Sequence, residues 1–197
     1  MLRPLSLLFI AFFFFSAVAG AQPASSAVEE DLLSRPHLRK EFNETRQDSR
    51  KTEELITALE QTTGREWDRY PAYVFAYYSA LVGLRAKFSV NPFTKISCLR
   101  RSIRMLDEAV ARAEDDMDVR FVRFACLQSF PNMMGVPGKR SWDVEPLCAM
   151  LKARGSSRFD KSLRLETAQW LLKSDQLTPE QREEISVVLK DISGESP

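Results

Sequence analysis

The sequence predicts an all-α fold of stacked antiparallel helix pairs, arranged as an irregular α-solenoid. Two observations predict this fold class. Apolar residues recur at alternating steps of three and four along the chain after residue 65, and no segment shows the alternation typical of a strand. Six helix starts also follow one another at short intervals, near residues 70, 94, 118, 143, 159 and 179. Short connections between helices indicate antiparallel neighbours, and stacking of such pairs gives a solenoid.

The clearest element is a helical hairpin between Asn91 and Phe130. Its first arm places six apolar residues on one stripe: Ile96, Leu99, Ile103, Leu106, Val110 and Ala113. Small or slender residues form a second stripe, which allows another helix to approach closely: Cys98, Ser102, Met105 and Ala109. The acidic turn at Glu114 to Asp118 favours a helix start, because negative charge is stabilising there. The second arm is apolar over most of its circumference, and so we expect it to be buried.

The helices on either side of the hairpin follow from the same spacing. Trp67 to Lys87 is apolar on most faces, which is typical of a central helix. Asn132 to Arg140 is rich in Gly and Pro and predicts a loop. Helical spacing returns at Val144 and again at Phe159. Thr178-Pro179-Glu180-Gln181 has the pattern of a capping box with proline in the first turn, so the last helix should begin there.

The first 21 residues are expected to be an export signal. Arg3 gives a positive start, Leu5 to Ala19 is an apolar run, and small residues precede Gln22. Because the run is short for a membrane span, we expect cleavage after Ala21, release into the periplasm or medium, and no stable membrane span in the mature chain. Retention as an anchor is the alternative. Residues 22–64 then form a polar, partly helical segment, and residues 65–194 form the helical-hairpin domain.

Charge and composition exclude several classes of partner. The chain has 28 Lys and Arg residues against 27 Asp and Glu, and loss of residues 1–21 removes one Arg, which makes the mature chain formally neutral. A non-specific nucleic-acid binder needs a basic surplus, so no nucleic-acid partner is expected. His37 is the single histidine and no C-x-x-C pair occurs, so the chain lacks a zinc motif. We expect neither a metal nor a cofactor.

The three cysteines, Cys98, Cys126 and Cys148, lie among apolar residues of predicted helices. This setting favours small buried hydrophobic side chains. The alternative is a Cys98–Cys126 disulfide that joins the two arms of the hairpin and leaves Cys148 free.

Part of the chain resembles a tetratricopeptide-type repeat. Val82-Gly83 stands where that repeat has Leu-Gly on its first helix, and Ser102, Leu106 and Ala109 match the small, large and small residues of its second helix. The resemblance covers about one repeat and implies stacked helix pairs. The chain departs from the pattern at three positions: Ser79, Ala86 and Glu114.

A second resemblance rests on N-P-F-T-K at 91–95, R-F-V-R-F at 120–124 and Pro131. These residues look like those of a group of small exported bacterial proteins. That resemblance implies export and brings no particular activity with it.

Two groups of residues are candidate binding sites, and neither matches a known catalytic motif. The first is an arginine set from both arms of the hairpin, whose guanidinium groups suit a carboxylate or phosphate: Arg100, Arg104, Arg120 and Arg123, with Arg101 beside them. The alternative, which we favour, is that Asp107, Glu108 and Asp118 neutralise these arginines on solvated faces. The second is an aromatic cluster that either lines a groove or packs in the core: Trp67, Tyr70, Tyr73, Tyr77 and Tyr78.

These observations favour an exported, non-catalytic helical module that binds a protein or peptide. The alternative is a small envelope hydrolase or lyase that uses carboxylates in an aromatic-lined cleft. A buried Asp or Glu facing Tyr73 or Tyr77 would favour this alternative.

Overall fold

The structure, a computed structural model, describes residues 31–132, 135–153 and 156–194. Within these residues the chain is helical and contains no strand, and the predicted all-α fold is confirmed. The predicted export signal, residues 1–21, lies outside the described residues, as does the beginning of the polar segment.

The α-helices of the described residues are α1 (Arg35–Thr45), α2 (Ser49–Thr63), α3 (Ala72–Phe88), α4 (Pro92–Arg112), α5 (Met117–Ser129), α6 (Val136–Lys139), α7 (Val144–Lys152), α8 (Lys161–Lys173) and α9 (Pro179–Ser193). Short 3-10 helices cover Trp67–Arg69 and Ser156–Arg158. The six predicted helix starts all lie within two residues of an observed start.

Local capping residues explain these boundaries. The Asn91 side chain caps α4, and the Asp116 carboxylate accepts hydrogen bonds from the first N–H groups of α5. Thr178 and Gln181 form the predicted capping box at the start of α9. Helix α2 ends at Gly64, whose φ of 58° lies in the left-handed region that glycine adopts without strain.

The predicted helix from Trp67 to Lys87 is interrupted at its start. Trp67–Arg69 forms a separate 3-10 turn, and α3 begins at Ala72. The reason is Pro71, because a proline forces the residue before it out of the helical region; Tyr70 is extended, with ψ of 155°. In the predicted loop after Pro131, the four residues of α6 are helical.

Helix α3 is the centre of the fold and is buried along most of its length. Helix α4 runs antiparallel to it, and the Ser102 hydroxyl donates to the carbonyl of Ser79 at 2.7 Å. The small-residue stripe brings the two backbones close. A Cβ on Gly83 would lie only 2.8 Å from both Ser102 Oγ and Phe130 Cζ.

Helices α1 and α2 pack against the same hydrophobic core as α3. Leu38 of α1 and Ile56 and Leu59 of α2 are buried in the same core as α3, because each helix carries a narrow apolar stripe that faces it. Helix α3 contacts α1, α2, α4 and α5. In a solenoid each repeat contacts only its neighbours, so the solenoid arrangement is not confirmed.

Helix α5 joins two hydrophobic cores. Val119, Val122 and Leu127 belong to the core around α3. Phe121 and Phe124 belong to a second core with α7, α8 and α9. Among the helices of the described residues, none is long and apolar enough to cross a membrane.

Candidate functional site

A cleft with a volume of about 280 Å³ lies where the two cores meet. Side chains of α1, α3, α5 and α8 form its walls. The volume is roughly twice that of a 150 Å³ cavity known to hold benzene, so one large aromatic side chain fits. Its apolar wall includes Phe42, Tyr77, Phe121, Cys126, Phe130 and Trp170.

The aromatic rings of the cleft are held by contacts with one another. Phe42 packs edge-on against Tyr77, with ring centroids 5.7 Å apart. On the opposite side, Phe121 and Trp170 make a second edge-on pair at 6.4 Å. Each pair joins two helices, so the width of the cleft is set by the helix packing.

A buried charge network centred on Asp118, whose side chain is fully buried, shares Arg39 and Tyr77 with the wall of the cleft. The Tyr77 hydroxyl donates to Asp118 at 2.9 Å, and Arg39 and Arg35 donate to it at 3.2 and 3.3 Å. Arg35 also pairs with Asp116, and Arg39 with Asp160. The N-terminal helix α1 is thereby tied to the start of α5 and to the start of α8.

Burial and neighbouring charges shift the pKa values of Tyr77 and Arg39. Burial, and then the negative charge of Asp118, raise the pKa of Tyr77 well above its ordinary value, so the hydroxyl remains a donor. Burial lowers the pKa of the Arg39 guanidinium, but Asp118 and Tyr77 outweigh this effect and the net pKa is raised. Tyr77 therefore stays neutral and Arg39 stays charged across the physiological pH range.

Polar side chains that line the cleft include Asn43, Arg46, Lys87 and Glu166. Burial raises the pKa of the Glu166 carboxyl, although Arg39 and Arg46 oppose this rise. Lys87 donates to the carbonyl of Arg46 at 2.8 Å and to the side chain of Gln47 at 2.7 Å. The Arg46 guanidinium lies 5.8 Å from the centre of the Trp170 ring.

The predicted arginine set does not form one group. Arg100 and Arg104 are exposed on α4 and line a shallow depression with Asp107 and Lys139. Arg123, by contrast, is buried, with only 8% of its side chain exposed. A single anion therefore has no common access to all four arginines.

An unexpected carboxylate, Asp143, explains the burial. It accepts two hydrogen bonds of 2.7 Å from Arg123 and one of 3.1 Å from Arg120. Asp107 also accepts a hydrogen bond from Arg123. The interpretation in which carboxylates neutralise these arginines predicted this contact. Asp118, which we expected to join them, faces α1 instead.

The aromatic cluster is divided by α3 between two sides of the molecule. Trp67 stacks on Tyr78 at 4.1 Å, and Tyr70 donates to the carbonyl of Thr62. Tyr73 donates to the carbonyl of Leu33. Of the predicted cluster only Tyr77 lines the cleft. The predicted groove lined by Trp67, Tyr70, Tyr73 and Tyr77 together is therefore not formed, because successive residues of a helix point in different directions.

All three cysteines are free, and so the Cys98–Cys126 disulfide is not formed. Cys126 and Cys148 are buried, as the favoured interpretation of small buried side chains predicted. Burial raises the pKa of Cys126 to about 12 and that of Cys148 to about 11. Such thiols remain protonated at neutral pH and are poor nucleophiles.

The sequence analysis missed most of the residues of the cleft and of the charge network beside it: Arg39, Arg46, Glu166 and Trp170 in the cleft, and Arg35 in the network. One signal was present in α5. A helix that is apolar on most sides cannot direct its charged residues to water, so Asp118 and Arg123 had to be buried and paired. Their partners are far away in the sequence, and no local pattern identifies them.

No cluster of three or more His, Cys, Asp or Glu that would suit a metal ion occurs in the part of the chain that the structure describes. Comparison of the chain with protein-family models, with curated proteins and with solved structures finds no match.

Proposed function

We propose that this protein is an exported, non-catalytic helical module that binds a protein or peptide partner. The cleft receives one large apolar side chain of that partner. The observation that supports this is the cleft itself, a space of about 280 Å³ with aromatic walls from four helices. Large aromatic anchors in such pockets carry much of the energy of many protein interfaces.

The expected contribution of one anchor is moderate. An aromatic side chain buries about 150–250 Å², which at about 25 cal/mol per Å² corresponds to roughly 4–6 kcal/mol. Association itself has a cost of similar size. A single anchor therefore gives weak binding, and contacts beside the cleft must contribute to the affinity.

The test is a titration with the peptide Gly-Ser-Trp-Ser-Gly, blocked at both ends and followed by amide shifts in two-dimensional NMR spectra. We expect shifts at the cleft residues, and none with the peptide in which Ala replaces Trp. The Ala125→Phe variant fills the cleft and should abolish the shifts. The matched control is Ala111→Phe, which adds the same ring at an exposed position on α4. Equal binding by Ala125→Phe would refute the proposal.

A hydrolase or lyase is the second candidate, and one observation favours it. Glu166 lies in the cleft wall with a raised pKa, as general acids often do. Asp118 also faces Tyr77, but its carboxylate is fully buried and shared by two arginines. A hydrolase screen with the wild type and Glu166→Gln separates the two functions. Turnover that is lost in Glu166→Gln would replace the binding module by the enzyme.

A further inference from the structure

We infer that the group bound in the cleft carries a carboxylate next to its apolar part, and that Arg46 binds this carboxylate. The inference rests on the proposed function and specifies the chemistry of the partner. Its observations are the environment of Arg46 and the balance of charge around the cleft.

Arg46 is a partly buried arginine without an acceptor. It follows directly after α1, and its guanidinium lies 5.8 Å from the Trp170 ring centre. No hydrogen bond or ion pair of this guanidinium is found among the described residues, whereas Arg35 and Arg39 on the same helix each contact two carboxylates. A guanidinium has five N–H donors, and those of Arg46 are not among the buried atoms without a partner, so they are open to an acceptor from outside. A ligand would supply the missing acceptor.

The charged side chains that line the cleft leave it with an excess of positive charge. Arg39 is matched by Asp118 and Asp160. Among the described residues, Lys87 donates to two neutral groups, the carbonyl of Arg46 and the side-chain amide of Gln47. Beside Lys87 and Arg46, the described lining of the cleft contains one carboxylate, Glu166, which makes no ion pair with either within 4.0 Å.

The position of Arg46 connects the charge with the apolar site. Trp170 forms part of the apolar wall and at the same time faces the Arg46 guanidinium. A ligand ring that contacts Trp170 therefore brings its own neighbouring group close to Arg46. Guanidinium groups bind carboxylates with two parallel hydrogen bonds. Two sources supply this chemistry in a peptide: an Asp or Glu next to an aromatic residue, or the carboxylate of a C-terminal aromatic residue.

The experiment extends the neutral peptide Gly-Ser-Trp-Ser-Gly with three others. One has Asp directly after Trp, one ends at Trp as the free acid, and one has Lys directly after Trp. Each is titrated into the wild type, Arg46→Gln, Arg46→Lys and Arg50→Gln. Arg50 is an exposed arginine of α2 outside the cleft, which makes Arg50→Gln the matched control. Circular dichroism first establishes that all variants are folded.

We expect at least one acidic peptide to bind the wild type about tenfold more tightly than the neutral peptide, the effect of one charge-assisted hydrogen bond. The Lys peptide should bind more weakly than the neutral one. Arg46→Gln should remove most of the difference between acidic and neutral peptides, Arg46→Lys should keep part of it, and Arg50→Gln should keep all of it. The acidic peptide that binds more tightly identifies the source of the carboxylate.

Two results overturn the inference. If the wild type binds acidic and neutral peptides equally, or if Arg46→Gln keeps the full difference, the cleft does not select a carboxylate through Arg46. In that case binding of the neutral peptide leaves the proposed function standing. If none of the peptides binds, the proposed function and the inference both fail.

Discussion

Replacement of Asp118 by Asn should destabilise the protein more than any other single loss of charge in the network. Asp118 is fully buried and accepts from Tyr77, Arg39 and Arg35. Asparagine has nearly the same shape but no charge, and its NH₂ group would face guanidinium donors. The substitution therefore leaves the geometry in place and removes the electrostatic partner of three groups.

The magnitude follows from the exposure of each partner. Removal of one partner of a buried ion pair costs about 3–5 kcal/mol. Arg35 contributes little, because 41% of its side chain is exposed and such pairs are worth about 0–1 kcal/mol. Arg39, with 11% exposed, keeps its pair with Asp160. We therefore expect the lower end, about 3 kcal/mol of the free energy of unfolding.

The assay is urea unfolding followed by the helical circular dichroism signal. With a slope of about 2 kcal/mol per molar urea, 3 kcal/mol lowers the midpoint by roughly 1.5 M. The control is Asp115→Asn, which makes the same chemical change at an exposed residue of the same turn and should change stability by less than about 0.5 kcal/mol. Equal midpoints for the two variants would show that the network does not stabilise the fold.

Two further predictions concern the α3–α4 contact and the cleft. Gly83→Ala should lower the free energy of unfolding by about 1–3 kcal/mol, because the new Cβ would lie 2.8 Å from Ser102 and Phe130. This cost outweighs the preference of alanine for helices. Thermal unfolding measures the effect, with Gly138→Ala as the control because Gly138 has open space around it. Burial raises the folded-state pKa of Glu166 above its unfolded value of about 4.3. The contribution of Glu166 to the free energy of unfolding therefore falls as the pH rises from the unfolded-state pKa to the folded-state pKa. Glu166→Gln should therefore gain stability relative to the wild type as the pH rises above about 4.3, which urea titrations at several pH values measure. A difference that does not change with pH would contradict the assigned burial.

Much of the secondary structure was predictable because the determining signals are local. The capping box at Thr178 and the cap at Asp116 each act within three residues. The interruption at Pro71 was also predictable, since it depends only on the proline and the residue before it. The sequence analysis missed it because the segment is apolar on most faces and therefore resembles one continuous helix. Local chemistry thus gives the helices and their ends.

The cleft was not predictable from the same signals. Arg39 pairs with Asp118 and Asp160, which are 79 and 121 residues away in the chain. The contact between α1 and the start of α5 depends on how the whole chain packs around α3. The spacing of apolar residues within one helix does not predict such a contact. The sequence analysis assigned helices α1 and α2 to a separate polar segment, because the apolar stripe of each helix is narrow. That narrow stripe includes Leu38, which is completely buried.

The ties between α1 and the starts of α5 and α8 also impose an order on folding. A chain made from its N-terminus exposes α1 first, but the partners of Arg35 and Arg39 appear only with residues 116–118 and 160–162. Trp170, a wall of the cleft, is made later still. Contacts of such high sequence separation form slowly, because a long loop must close before they stabilise it. During synthesis, the charged partners of α1 and the Trp170 wall of the cleft therefore become available only after most of the chain has been made.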